Sequence, residues 1–200
     1  MKQGRLSFSA VRRLRQSPVF AFLVAALLCG AAAGSLTGMH LPQSAGSYAE
    51  DLAALVAENV TGALPSARTV AACIGGTFGW AAGALVLGAL PGRMLWVGLL
   101  AALRGFLLAF AVAAALLESG WRGVYLSAVS IGASAALWLP GLLLVCAAAL
   151  DAAQARGKRG YAAALFGRSG GALGLSALLL SGAVLWRLLA VPALLGLVGA

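Results

Sequence analysis

Charged residues are scarce in this chain. Asp, Glu, Lys and Arg make up 10% of the 200 residues, whereas hydrophobic residues make up 62%. So few charges cannot form the surface of a water-soluble protein around one core. The alternation of polar and apolar side chains that is typical of a membrane β-barrel is also missing. The sequence therefore predicts an all-α integral membrane protein, because a helix satisfies its backbone hydrogen bonds within its own segment.

Residue types that carry catalysis or bind metals are scarce as well. There is one histidine, His40, and the three cysteines Cys29, Cys73 and Cys146 lie in apolar runs without a Cys-x-x-Cys pair. Unpaired buried thiols are the expected state of such cysteines. Paired intramembrane carboxylates, metal-ligand clusters and phosphate-binding glycine loops are not found. We therefore expect no cofactor, no metal and no enzymatic activity.

One short motif points the other way. Residues 167–170, Gly-Arg-Ser-Gly, match the Gly-x-Ser-Gly nucleophile motif of rhomboid intramembrane proteases. A serine nucleophile needs a base within hydrogen-bond reach. His40 is predicted at the outer end of the first span and Ser169 at the inner end of the fifth, so we interpret the motif as a chance match.

Five long apolar runs are present, and a helix of about 20 apolar residues crosses the roughly 30 Å core of a bilayer. The predicted spans are residues 18–39, 70–90, 94–117, 123–150 and 171–191, with Glu118–Arg122 as a short link in a hairpin of the third and fourth spans. The first run also fits a secretory signal peptide with a small-residue cleavage site at residues 31–33. We favour a retained first span, because the apolar character continues past that site.

The basic residues predict the orientation of the spans. Residues 1–16 carry five basic residues and no acid, and the predicted inner loops, including residues 151–169, carry five more, which gives ten inside against Arg68 and Arg122 outside. By the positive-inside rule the N-terminus is cytoplasmic and the C-terminus lies outside. The formal charge of +9 is thus explained by topology and a bilayer partner, and we expect no nucleic-acid binding.

The predicted outer loop, residues 40–67, contains a pattern typical of a short amphipathic helix. Ser47 and Glu50 fit a capping box, and Leu52, Leu55 and Val56 share one helix face. This helix either rests on the membrane or the other spans, or presents a docking face to a partner.

Glycines recur every four residues in two of the predicted spans. This spacing places small residues on one helix face, where another helix can approach closely. The two sets are Gly30, Gly34 and Gly38 in the first span, and Gly75, Gly79 and Gly83 in the second. Such faces also allow a homo-oligomer.

An arginine lies inside the third predicted span. Arg104 follows Met94 by ten residues, which places it about 15 Å deep. A central arginine costs from about 2.5 to more than 10 kcal/mol, so it should face protein or water. Backbone carbonyls are the expected partners, including that of Ala136, which Pro140 leaves without a donor. A structural anchor and a functional group are both open for Arg104, whereas Arg187 is expected to reach the outer interface.

The central part of the chain resembles the stage II sporulation protein M family of endospore-forming bacteria. The resemblance extends over residues 79–150. The residues that carry it are the run Arg104-Gly105-Phe106-Leu107-Leu108-Ala109-Phe110, the pairs Gly79-Trp80, Leu90-Pro91, Arg122-Gly123 and Leu139-Pro140, and the segment from Tyr125 to Ser130.

This resemblance implies a non-enzymatic scaffold. It would lie in the mother-cell septal membrane during forespore engulfment and anchor peptidoglycan hydrolases similar to the stage II sporulation proteins P and D. The outer loop and the glycine faces would dock them. The alternative is a small transporter or channel subunit in which Arg104 meets an anionic ligand.

Overall fold

The computed structural model describes residues 17–40, 67–128, 132–154 and 160–190. In these ranges the chain is helical and contains no strand. The helices are α1 (Pro18–Met39), α2 (Ala67–Ala89), α3 (Arg93–Ser127), α4 (Ala133–Gln154) and α5 (Tyr161–Leu185), which continues into a π-helical segment at Trp186–Ala190. Five helices are long and apolar enough to cross a membrane, so the prediction of an all-α, multi-pass membrane protein is confirmed.

Several sequence predictions fall outside the described residues. The basic tail, residues 1–16, is one, and the amphipathic loop helix with Leu52, Leu55 and Val56 is another. The cytoplasmic N-terminus and the external C-terminus stay predictions as well. Below, the end of the bundle at which α1, α3 and α5 begin is called the predicted cytoplasmic end.

The predicted hairpin link differs most from the structure. Residues 118–122 do not form a link but lie inside α3, which has 35 residues and is continuous from Arg93 to Ser127. The sequence contains no proline from residue 92 to residue 139, so nothing there forces the helix to end. At 1.5 Å per residue α3 is about 52 Å long, well beyond a roughly 30 Å hydrocarbon core. Its apolar part is Arg93–Ala114, and the fourth span begins at Ala133, not at residue 123.

The loop between the last two helices is also shorter than predicted. Helix α4 continues to Gln154 and α5 begins at Tyr161, ten residues before the predicted start of the fifth span. Gly160 precedes α5 with a φ of +80°, a conformation that glycine adopts without steric cost. The predicted loop of residues 151–169 is therefore helical over most of its length.

Helix α4 forms the centre of the bundle. Its membrane span is 72% buried, against 17% for α1 and for α2. It packs along α5, while α1 packs along α3, and α2 contacts α3, α4 and α5. The core joins side chains from all five helices, including Leu23, Ala84, Val97, Leu142 and Leu180. All five helices therefore share one core organised around α4, and α1 joins this core while it packs mainly along α3.

The contact between α1 and α3 depends on glycines from both helices. Any side chain at Gly30 would overlap the carbonyl of Ala102, and at Gly34 that of Phe106. In the opposite direction, a side chain at Gly105 on α3 would overlap the carbonyl of Leu27 on α1. The two backbones thus pack directly against each other, as small residues permit in membrane helices.

The start of α1 follows the usual rules for a helix N-terminus. Ser17 precedes the helix, and its hydroxyl oxygen accepts a hydrogen bond from the Phe20 backbone N–H at 3.3 Å. Pro18 occupies the first helical position, where its missing N–H costs nothing. The beginning of this span is therefore encoded locally.

Candidate functional site: an arginine between two tryptophans

Arg104 lies near the middle of the apolar part of α3. It follows the start of the helix by eleven residues, which corresponds to about 16 Å along the axis. The side chain is half-buried, and its Nε atom is buried without a hydrogen-bond partner. The side chain is directed toward protein, as the sequence predicts, whereas its depth in a membrane stays a prediction.

Two tryptophans cover the guanidinium group of Arg104. Its central carbon lies 4.1 Å from the ring centroid of Trp138 on α4 and 5.1 Å from that of Trp80 on α2. Both distances are within the range of a cation–π interaction, which extends to about 6 Å. The Arg104 side chain therefore joins three helices, α2, α3 and α4, at one point.

The magnitudes show why this arrangement is tolerated in a membrane. A desolvated cation–π contact contributes about 2 kcal/mol, so two of them contribute roughly 4 kcal/mol. Insertion measurements put the cost of a central arginine at about 2.5–3.5 kcal/mol. Simulations of an arginine on an isolated helix give a cost above about 10 kcal/mol, so the two aromatic faces offset at least part of the cost of this charge.

The groups over the guanidinium plane are aromatic rings, whereas the sequence favoured backbone carbonyls. Pro140 lies inside α4, and the helix is continuous on both sides of it. Trp138, two residues earlier, supplies the contact with Arg104. Gly105 faces α1 and therefore fixes the helix that carries Arg104 without taking part in the site.

The two tryptophans were missed by the sequence reasoning, although a signal for them exists. Tryptophan is enriched at the membrane interfaces, yet Trp80 lies in the middle of its span, residues 70–89. A tryptophan at mid-depth in one span can be paired with an arginine at mid-depth in the next, because the negative face of an aromatic ring attracts a cation. The partner Trp138 could not be assigned in this way, since the start of α4 was misplaced.

A second feature of interest is the surface of α2. The exposed residues Ala72, Gly75, Gly76, Gly79 and Ala82 form what we call the open α2 face. No described atom lies within 4 Å of the position that a Cβ would occupy at Gly75, Gly76 or Gly79. Gly83, next on the same stripe, has only the end of the Leu100 side chain at 3.4 Å.

The remaining sequence candidates do not come together. Ser169 is buried two turns after the start of α5, near the predicted cytoplasmic end. His40 follows the last residue of α1, at the opposite end of the bundle. Cys29, Cys73 and Cys146 are free, and the described residues include no group of His, Cys, Asp or Glu that could hold a metal.

The fold and the composition define a class, that of polytopic α-helical membrane proteins. Comparison with known proteins adds no further identity: no family model, characterised protein or solved structure matches the chain. The resemblance to the stage II sporulation protein M family therefore stays a prediction from the sequence.

Proposed function

We propose that this protein is a non-enzymatic membrane scaffold that holds a partner protein through the open α2 face. The observation that carries the proposal is the empty space beside Gly75 and Gly79. These two glycines lie on an exposed surface of a span that is only 17% buried. Within the described residues no other helix uses this face.

The physical argument rests on how helices associate in lipid. Apolar surface alone does not bring two helices together in a bilayer, because lipid tails are equally apolar; close backbone packing at small residues does. The contact of α1 with α3 shows that glycines of this chain permit such packing. The open α2 face offers the same surface chemistry to a transmembrane helix of another protein.

The resemblance to the sporulation family supplies the proposed partners. They are peptidoglycan hydrolases with a membrane anchor, recruited to the septal membrane during engulfment. Chemistry would then belong to the partner, and the scaffold would supply position.

A photo-crosslinking experiment tests the proposal. A photoreactive phenylalanine analogue is placed at Ala82, on the open α2 face, and in a matched control at Leu178 on α5, which is 69% exposed. Position 82 should give a crosslinked protein in native membranes, identified by mass spectrometry, and position 178 should not. Crosslinks to lipid alone at both positions would contradict the scaffold function.

The identity of the crosslinked protein separates the outcomes. A peptidoglycan hydrolase supports both the docking face and the sporulation role. A different membrane protein supports docking and overturns that role, whereas a second copy of this chain identifies the face as a homo-oligomer contact.

A further inference from the structure

The buried N–H groups of the described residues include three without an acceptor. They belong to the Nε of Arg104 and the indole nitrogens of Trp138 and Trp186. Arginine and tryptophan side chains can donate hydrogen bonds but cannot accept them, so none of these groups can satisfy another. A buried donor without a partner is costly. Two of the three, on Arg104 and Trp138, belong to side chains that lie against each other, which indicates that an acceptor from outside the described residues belongs here.

The charge of Arg104 leads to the same conclusion. Asp151 is the only acidic residue in the described spans. It lies thirteen residues beyond Trp138 on α4, about 20 Å along the helix axis. Within the described spans no carboxylate therefore lies beside the Arg104 guanidinium, and a charge without a counter-ion is strongly disfavoured there.

We propose that Arg104 and Trp138 form a binding site for a small monovalent anion, with Trp80 as its aromatic wall. This site goes beyond the scaffold function and does not depend on it. The anion would accept hydrogen bonds from Arg104 Nε and from Trp138 Nε1 and would balance the guanidinium charge of Arg104.

The geometry also selects the class of anion. Tryptophan rings lie over the Arg104 guanidinium at 4.1 and 5.1 Å, so an anion reaches it along its edge, where the N–H groups point. The site offers few donors inside an apolar span, so an entering anion loses most of its water and regains little of that hydration. Large, weakly hydrated anions such as iodide, nitrate and thiocyanate lose less hydration free energy than fluoride or sulfate, so they should bind more tightly.

Iodide is the probe for the test, because it quenches tryptophan fluorescence on contact. The full chain is purified in detergent with Trp96→Phe and Trp121→Phe, which leaves Trp80, Trp138 and Trp186 as emitters. At constant ionic strength, iodide should quench a fraction of the emission with a saturable dependence on concentration. Nitrate and thiocyanate should compete with it, and sulfate should not.

Substitutions locate the site. Arg104→Gln should weaken the saturable component by roughly tenfold or more, the change expected when a charge-assisted hydrogen bond is lost. Arg93→Gln, which removes a charge at the beginning of the same helix, should leave it unchanged. Quenching that is linear with iodide, or that is equal in Arg104→Gln and Arg93→Gln, overturns the proposal.

A second variant keeps the test valid if Arg104→Gln does not fold. Trp138→Phe keeps an aromatic ring over Arg104 and removes one proposed hydrogen-bond donor, so iodide should bind several-fold more weakly with nitrate competition retained. Unchanged iodide affinity in Trp138→Phe contradicts the site.

Discussion

The two glycine stripes of this protein have the same spacing and opposite surroundings. On α1, the stripe of Gly30, Gly34 and Gly38 is buried against α3, with no room for a side chain at Gly30 or Gly34. On α2, two of the three glycines at the same spacing, Gly75 and Gly79, have no described atom within 4 Å of a Cβ. One stripe is packed within the chain, whereas no described part of the chain covers the other at Gly75 and Gly79.

What distinguishes the stripes is the facing helix. The α1 stripe meets a helix that contributes glycines of its own: Gly105 lies against the Leu27 carbonyl, and Gly98 lies against the ring of Phe22. The α2 stripe has no such counterpart among the described residues. Four-residue spacing therefore identifies a face that permits close approach, while the identity of the approaching helix depends on complementary small residues elsewhere.

The largest expected difference between the stripes is the response to leucine. Gly34→Leu would drive a large side chain into the backbone of α3 at Phe106, so the free energy of unfolding should fall by about 3 kcal/mol or more. Gly79→Leu, the matched control, enters open space, so it should not lower the free energy of unfolding, but it should weaken partner crosslinking. Equal losses of stability in the two variants would mean that both faces are packed.

The buried thiol of Cys146 provides the measurement for this pair. Its side chain is fully buried in the core, whereas Cys29 is exposed and Cys73 is half-buried. In a background with Cys29→Ala and Cys73→Ala, a thiol-reactive fluorescent maleimide reports only exposure of Cys146. Thermal or denaturant unfolding in detergent can then be followed for every variant with the same probe.

A smaller effect tests the reciprocal side of the α1–α3 contact. Gly105→Ala adds one methyl group that would overlap the carbonyl of Leu27 and lie 3.2 Å from the amide nitrogen of Ala31. The cost should be about 1–3 kcal/mol, as for an overpacked core. Gly174→Ala on α5 is the matched control, because no described atom lies within 4 Å there. If both variants unfold at the same temperature, the glycines of α3 are not needed for the contact.

The C-terminal half of α2 offers a third contrast, since it is packed whereas the N-terminal half is open. There a Cβ at Gly88 would lie 2.8 Å from the Cβ of Ala149, and the Tyr161 hydroxyl donates a hydrogen bond to the Leu85 carbonyl at 3.0 Å. Tyr161→Phe removes that bond and keeps the ring, so stability should fall by about 0.5–1 kcal/mol. A labelling curve of Cys146 identical to that of the unsubstituted protein would show that packing at Gly88 alone fixes this half of α2.

These contrasts also show which parts of the structure could be predicted. The number of spans follows from the apolar runs, because bilayer thickness sets their length. The predicted link at residues 118–122 was wrong because polarity was taken as the end of a helix. Polar residues are compatible with a continuing helix, and no proline interrupts α3 there. The depth of Arg104 follows from counting residues, whereas its partner Trp138 depends on how α4 is positioned against α3, which spacing along one helix does not encode.

The smallest effect is also the most informative, because its sign depends on whether the open α2 face is covered. In a helix, alanine is favoured over glycine by up to about 1 kcal/mol when its methyl group meets nothing. In the purified protein, Gly79→Ala should therefore raise the free energy of unfolding by a few tenths of a kcal/mol to about 1 kcal/mol, as measured by Cys146 labelling. In native membranes, where a partner helix packs on this face, the same methyl group should instead reduce the yield of the crosslinked complex. A loss of stability in the purified protein would mean that the face is already covered there, either by another part of the chain or by a second copy, and the docking surface would have to be sought elsewhere.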